Sequence, residues 1–117
     1  MRVAVVGATG AVGTIMLSLL ERRGFPATEV VPFASERSAG RRLGDATVQP
    51  LREDTITGFD LALFSAGGGT SREWSPRFAA AGALVVDNSS AWRMDDDVPL
   101  VVTEVNPGAL DRIGKGI

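Results

Sequence analysis

Three evenly spaced glycines, Gly7, Gly10 and Gly13, follow the apolar run at residues 3–6. A strand that leads into a glycine turn and then a helix can bind the pyrophosphate of a dinucleotide. The glycines let the backbone approach the phosphates, and the helix presents free N–H groups to them. Glycines also close ordinary strand–helix turns, and the commoner spacing is G-x-G-x-x-G. The segment therefore predicts a nicotinamide or flavin nucleotide site, with a ligand-free strand–turn–helix unit as the alternative.

A second polar segment bears on which nucleotide is bound. In a dinucleotide fold the end of the second strand meets the adenosine ribose, about 20 residues beyond the glycines. Here Ser35, Arg37 and Ser38 occupy that position, where an arginine can pair with a 2′-phosphate and serine hydroxyls can donate to it. Glu36 opposes this interpretation, because an inward-pointing carboxylate would repel the phosphate. We predict NADP as the cofactor, the alternative being a polar surface loop.

Two further segments lie where a predicted strand ends and a loop begins. Residues 64–71 contain three successive glycines, which cost backbone entropy and predict the close approach of a ligand. Residues 85–93 place Asn88 and Arg93 after another strand, and a guanidinium suits bidentate recognition of phosphate or carboxylate. Asp87 is expected to hold this loop through backbone amides. The alternative for Arg93 is that it stacks on the neighbouring Trp92.

Apolar runs and helical periodicity define the elements that position these segments. Strand and helix alternate, which predicts a doubly wound, mostly parallel α/β sheet of the Rossmann type in a single domain. Residues 41–57 predict either a small hairpin, with a turn at 44–45, or an irregular crossover. The second helix starts either at a capping box at 70–73 or at Ser75 with Pro76 in its first turn. The predicted strands are Arg2–Val6, Glu29–Ala34, Leu61–Phe64, 83–87 and 100–102, and the predicted helices are 12–22 and 71–81.

The first helix carries an apolar stripe that is predicted to pack on the sheet. The stripe consists of Val12, Ile15, Met16, Leu19 and Leu20. Basic residues and then Gly24 predict the end of this helix at residues 22–24.

Composition excludes several kinds of chemistry. The net charge is −2, with 12 basic and 14 acidic side chains, so nothing indicates a nucleic-acid partner. No apolar stretch approaches the roughly 20 residues of a membrane span and no signal peptide is recognised, so we expect a cytoplasmic protein. The chain has no Cys, His or Tyr, which leaves no thiol nucleophile, imidazole base or ordinary zinc site. We therefore assign neither catalytic residues nor a metal site.

Four segments together resemble the N-terminal, cofactor-binding part of the aspartate-β-semialdehyde dehydrogenases. They are GATGAVG, ASERSAGR, LALFSAGGGTS and VVDNSSAWRMDDDVPLVVTEVNP, and they extend over nearly the whole chain. That family catalyses the NADPH-dependent reductive dephosphorylation of aspartyl phosphate, on the route to lysine, threonine and methionine. The resemblance implies NADP(H) and a phosphorylated small molecule as ligands.

The resemblance also implies roles for individual residues. Arg37 with Ser38 would hold the 2′-phosphate, and Arg93, helped by Asn88, would bind the phosphoryl group of the substrate. The residues implied to line the nucleotide are Thr9, Gly10, Ala11 and Val12 at its phosphates, and Ser65, Ala66 and Gly67 further along.

The chain departs from the family in one respect that matters for activity. The family's nucleophilic cysteine follows the stretch matched by residues 115–117, and its histidine acid/base and most dimer contacts lie in a further domain. We therefore expect residues 1–117 to form a cofactor domain without turnover, and to self-associate through apolar surface that a second domain would cover. Two alternatives stay open: an N-acetyl-glutamyl-phosphate reductase and a non-catalytic NADP-sensing module.

Overall fold

The apolar runs form one parallel sheet in the computed structural model, which describes residues 1–92, 98 and 116–117. Its strand order is β5-β2-β1-β6-β7, and every neighbouring pair is parallel. The predicted α/β class and parallel sheet are therefore confirmed, while the predicted strand at 100–102 lies outside the described residues. The elements in chain order are β1 (Arg2–Val6), α1 (Ala11–Arg22), β2 (Glu29–Ala34), β3 (Arg42–Leu43), β4 (Ala46–Thr47), β5 (Gln49–Pro50), β6 (Leu61–Phe64), α2 (Gly68–Ala80) and β7 (Leu84–Asp87).

The central strand β1 is buried on both faces. Val3 and Val5 pack with α1 side chains, whereas Ala4 and Val6 belong to the core that includes Phe78 of α2. All four strand residues are fully buried. Because side chains alternate along a strand, the two helices cover opposite faces of the sheet, as the doubly wound arrangement requires.

Helix α2 packs on the sheet through Ser71, Ser75 and Phe78, which are spaced at i, i+4 and i+7 and are fully buried. The Phe78 ring makes edge-to-face contacts with Phe33 of β2 and Phe64 of β6, with ring centroids 5.7 and 5.4 Å apart. Such pairs contribute about 0.5–1.5 kcal/mol each beyond their burial. These contacts attach α2 to the strands whose ends form the candidate site.

The apolar stripe predicted on α1 is only partly correct. Met16 and Leu20 pack against β1 together with Leu17, but Val12, Ile15 and Leu19 are exposed. Among the described residues no helix covers the α1 side of β6 and β7, so the flank of α1 that faces these strands stays open to solvent. An apolar groove of about 260 Å³ lies there, lined by Met16, Leu19, Leu20, Arg23, Phe25 and Leu63.

Helix α2 begins at Gly68, before both predicted starts. The serine and threonine hydroxyls that suggested a cap do not cap the helix; Ser71 and Ser75 point inward and hydrogen-bond to each other at 3.0 Å. Pro76 lies inside the helix at the cost of one backbone hydrogen bond. The end of α1 at Arg22, by contrast, is confirmed.

Residues 41–57 contain the hairpin that was one of the two predicted alternatives. Strands β3 and β4 pair antiparallel around the turn at 44–45. Strand β5 was not predicted, because Gln49–Pro50 is too short to show a strand pattern. It pairs parallel with β2 at the edge of the sheet, where a proline is tolerated. Over the described residues, no helix is long and apolar enough to cross a bilayer.

Candidate functional site

The loop after β1 lies between the ends of the two neighbouring strands. The N–H groups of Gly7 and Ala8 donate to the carbonyl oxygen of Phe33 in β2, at 2.9 and 3.1 Å. Gly7 has a φ of +87°, and a Cβ built on it would lie 2.8 Å from the backbone of Ser65, which follows β6. Both the conformation and the close approach require glycine at this position. The loop is therefore held at the centre of the carboxyl edge of the sheet.

Gly13 and Gly10 differ in what surrounds them. A Cβ on Gly13 would lie 2.0 Å from the carbonyl oxygen of Gly7, so this glycine lets α1 pack directly on the loop. A Cβ on Gly10 would meet only that same oxygen, at 3.4 Å, and Gly10 is exposed. The third glycine of the predicted motif therefore serves packing, and the second leaves room for a ligand.

The first turn of α1 is open to an anion. Gly10 is the N-cap, and no side chain hydrogen-bonds to the N–H groups that begin the helix. These orphan groups carry the partial positive charge of the helix N-terminus. Ala11 and Val12, both exposed, and the half-buried Thr9 surround this point. The residues implied to line the pyrophosphate thus lie together on the loop and the first turn of the helix.

A second helix begins at the same edge. Ser65 follows β6 and its N–H donates to the carbonyl of Val6, at 2.9 Å, so this junction lies beside the first glycine loop. Helix α2 also lacks a side-chain cap, and its N-cap is Gly67. Cβ atoms built on glycines 67–69 would meet nothing within 4 Å. Open space beside two uncapped helix N-termini fits a dinucleotide with its two linked phosphates.

The segment after β2 places the predicted cofactor-selecting residues on an exposed turn. The N–H of Ser38 donates to the carbonyl of Ser35 at 2.9 Å. Arg37 is exposed, and no described residue forms an ion pair or hydrogen bond with its guanidinium. The hydroxyls of the two serines likewise have no partner among the residues described. Three unengaged donors therefore lie at the end of the second strand.

Glu36 on the same turn is engaged by a residue that the sequence analysis did not single out. Arg52 donates through Nε and Nη2 to the two carboxylate oxygens of Glu36, at 3.3 and 3.2 Å. The hydrogen bond and charge of Glu36 raise the pKa of Arg52, and the charge of Asp54 adds to this effect. The acidic side chain that opposed phosphate binding thus has a cationic partner on the neighbouring segment.

The loop after β7 is organised by Asp87. The N–H of Ser89 donates to Oδ1 at 2.8 Å, and the hydroxyls of Ser89 and Ser71 donate to Oδ2. The predicted role of Asp87 in holding this loop is confirmed. Ser71 was missed as a partner because its place in the sequence suggested a helix cap. Its hydroxyl also accepts from Nε1 of Trp92 at 3.1 Å, and so ties α2 to the loop.

Asn88 belongs to the same edge. Its N–H donates to the carbonyl of Phe64 at 3.1 Å, which places it beside the junction after β6, and the residue is exposed. Arg93, the second residue predicted to bind a phosphoryl group, lies outside the described residues. The structure thus brings four of the predicted segments to the carboxyl ends of β1, β2, β6 and β7, where ligands bind in doubly wound sheets.

A parallel sheet with this glycine loop and two open helix N-termini defines a nicotinamide dinucleotide-binding domain. The sequence profile of the semialdehyde dehydrogenase NAD-binding domain matches residues 2–113. The chain belongs to this family. The profile and the individual relatives together confirm the resemblance to aspartate-semialdehyde dehydrogenases noted in the sequence.

Individual relatives agree with this assignment. An aspartate-semialdehyde dehydrogenase of Aquifex aeolicus is 60% identical over an alignment of 111 residues, and the alignment covers 91% of this chain and 33% of the relative. The crystal structure of aspartate semialdehyde dehydrogenase II from Vibrio cholerae complexed with ASA has a TM-score of 0.90 and 47% identity, covering 97% of this chain and 39% of that one. Aspartate semialdehyde dehydrogenase with NADP from Candida albicans has a TM-score of 0.74 and 29% identity, covering 94% and 35%. The chain thus spans about a third of the length of these relatives.

Proposed function

We propose that residues 1–117 form the NADP-binding domain of an aspartate-semialdehyde dehydrogenase, which reduces aspartyl phosphate on the route to lysine, threonine and methionine. The observation that carries the choice of NADP is the exposed Arg37, which no described residue engages. The serines on either side of it on the turn, Ser35 and Ser38, offer further hydroxyl donors. A guanidinium flanked by hydroxyls suits a phosphate better than a ribose hydroxyl, because its fork donates to two phosphate oxygens at once.

In this proposal the chain binds and orients the cofactor. When bound, NADPH supplies a hydride. The loop 7–13 holds the pyrophosphate at the first turn of α1, and Ser65, Ala66 and Gly67 border the nucleotide further along. The sequence contains no cysteine, so these residues alone provide no thiol to form an acyl intermediate. We therefore infer that the 117-residue chain binds nucleotide without turning over substrate.

The substrate's phosphoryl group is assigned to Asn88 and Arg93. Support comes from the position of Asn88 on the loop that Asp87 organises, next to the end of β6. A side-chain amide can donate to a phosphoryl oxygen from this edge of the sheet, and an arginine five residues further on can add a charge-assisted pair. In this arrangement the cofactor and the substrate phosphate share the carboxyl edge.

The cofactor assignment is tested by calorimetric titration of the 117-residue chain with NADP and with NAD. We expect NADP to bind more tightly, and Arg37→Ala to weaken NADP binding about tenfold or more, the value of one charge-assisted contact. NAD binding should change little, because NAD lacks the 2′-phosphate.

Arg22→Ala is the matched control. Arg22 is also exposed, but it lies in the last turn of α1, away from the carboxyl edge. The Arg22→Ala substitution removes the same charge as Arg37→Ala. It should leave the NADP affinity within about twofold of the wild-type value, since distant exposed charges are screened. Equal affinities for the two cofactors, or an equal effect of both substitutions, would contradict the role given to Arg37.

We further propose that the chain self-associates through the apolar surface between α1 and the strands β6 and β7. Ile15 is 57% exposed and Val86 51% exposed, and Leu19 and Leu84 are exposed as well. The groove beside them is lined almost entirely by apolar side chains. Contiguous exposed apolar surface of this kind favours association, because burying it removes that area from water.

A further inference from the structure

The register of strand β5 brings Arg52 to the turn at residues 35–38, which is proposed to select the cofactor. Ala34 of β2 pairs with Pro50 of β5 in a parallel ladder. Two residues beyond each of these come Glu36 and Arg52, which is why their side chains meet. The ion pair therefore follows from the strand pairing and joins two segments that are 16 residues apart in the chain.

The position of Arg52 is held by its own backbone as well. Its N–H donates to Oγ1 of Thr55 at 3.0 Å, and that hydroxyl donates to the carbonyl of Pro50 at 2.8 Å. These bonds fix the turn that follows β5. The guanidinium is thus presented to Glu36 from an ordered turn.

The Glu36 carboxylate can accept hydrogen bonds either from the ribose of a bound NAD or from Arg52. An acidic side chain at the end of the second strand accepts a hydrogen bond from the 2′-hydroxyl of NAD and repels the 2′-phosphate of NADP. In the structure both oxygens of the carboxylate are instead occupied by Arg52. Which partner the carboxylate takes affects the balance between the two cofactors.

We propose that Arg52 sets cofactor specificity by acting through Glu36. Arg52 holds and neutralises the Glu36 carboxylate, so that Arg37 and its flanking serines can bind a 2′-phosphate. Arg52 is in this sense a positioning residue and makes no contact with the cofactor itself. The inference rests on the proposed NADP-binding function and names a determinant of its selectivity.

The ion pair between Arg52 and Glu36 contributes little to the folding stability of the domain. The side chains of Arg52 and Glu36 are 57% and 67% exposed. Ion pairs as exposed as this contribute little to folding, because water screens the charges and ordering two long side chains costs entropy. A charge placed near a bound phosphate acts on affinity even when it adds nothing to folding, provided that it lies within a Debye length.

The test is a double-mutant cycle on the 117-residue chain with Arg52→Ala, Glu36→Gln and the double variant. Calorimetric titrations measure the dissociation constants for NADP and for NAD. We expect Arg52→Ala to weaken NADP binding about threefold to tenfold, as a freed like charge within a Debye length would. NAD binding should stay equal or become tighter, because the freed carboxylate can accept from the 2′-hydroxyl.

Glu36→Gln separates the proposed role from a direct one. In that background the removal of Arg52 should weaken NADP binding clearly less than it does in wild type, because only the screened charge of Arg52 is lost and no carboxylate is freed to approach the phosphate. The loss caused by Arg52→Ala alone should also shrink in about 0.5 M salt. An equal loss with and without the glutamate would overturn the proposal, since Arg52 would then act on the phosphate independently of Glu36, through its own charge or by direct contact.

The outcomes also separate this inference from the function on which it rests. If wild type does not bind NADP, or Arg37→Ala has no effect, the proposed function fails. If wild type prefers NADP and needs Arg37, but Arg52→Ala leaves the ratio of NADP to NAD affinity unchanged, only the role of Arg52 fails. Melting temperatures of the four proteins should agree closely, because the pair is exposed.

Discussion

Replacing Gly13 by alanine tests whether the glycine loop and α1 pack as closely as the structure shows. The added Cβ would lie 2.0 Å from the carbonyl oxygen of Gly7 and 2.7 Å from Cα of Ala8. Both are backbone atoms of a loop that hydrogen-bonds to β2 at 2.9 and 3.1 Å. The clash therefore cannot be relieved by turning a side chain, and either the loop or the helix must move.

The expected cost is the balance of two effects. Forcing a methyl group into a filled space costs about 1–3 kcal/mol, and a backbone obstacle puts Gly13 at the upper end of this range. Alanine inside a helix gains about 0.5–1 kcal/mol over glycine. The net destabilisation is then about 2–2.5 kcal/mol, which lowers the melting temperature by roughly 10 °C for a domain of this size.

The assay is thermal unfolding followed by circular dichroism, with Gly10→Ala as the matched variant. Gly10 has a φ of −78° and a built Cβ no closer than 3.4 Å to its neighbours, so alanine fits there. We expect Gly10→Ala to melt within about 4 °C of wild type, since only a helix cap is affected. It should nevertheless weaken NADP binding, because the methyl group lies at the open end of α1.

A Gly13→Ala protein that melts as wild type does would refute this reasoning. It would mean that the loop and helix can separate by more than 1 Å at no cost, contrary to the close packing of protein interiors. Equal destabilisation by the two substitutions would also refute it, because the structure assigns packing to Gly13 and ligand access to Gly10.

Two further predictions concern the loop after β7 and the apolar surface. Ser71→Ala should lower the free energy of unfolding by about 1–3 kcal/mol in urea titrations, because Asp87 loses a donor and Trp92 loses an acceptor. The control Ser18→Ala replaces an exposed serine and should cost less than about 0.5 kcal/mol. Equal costs would contradict the hydrogen bonds assigned to Ser71. Light scattering should show association of the wild-type chain that Ile15→Glu reduces, whereas a wild-type monomer at high concentration would count against the proposed self-association.

Much of the fold could be predicted because its signals are local. Continuous apolar runs such as those at residues 3–6 and 61–64 indicate strands buried on both faces, and the strands form at Arg2–Val6 and Leu61–Phe64. The basic last turn of α1 and the glycine after it indicate its end, which lies at Arg22. The start of α2 could not be predicted in the same way, because a serine that caps a helix and one that faces the core have the same sequence signature.

The composition of the candidate site could likewise be predicted from the order of its segments. Parallel strands end at one edge, so the polar residues that follow β1, β2, β6 and β7 had to come together. The apolar stripe of α1 was overestimated for a different reason. Ile15 and Leu19 have the periodicity of core residues, but periodicity does not tell whether anything covers the surface they face.

The pattern of residues was thus enough for the fold class, for the glycine loop after β1 and for the position of Arg37 at the carboxyl end of β2. It left open which backbone Gly7 approaches and which side chain Glu36 contacts. Those answers depend on contacts between segments far apart in the chain: Gly7 against Ser65, and Arg52 beside Glu36 through the pairing of β5 with β2. A two-residue strand has no sequence signature, because its pairing is determined by the tertiary contacts around it.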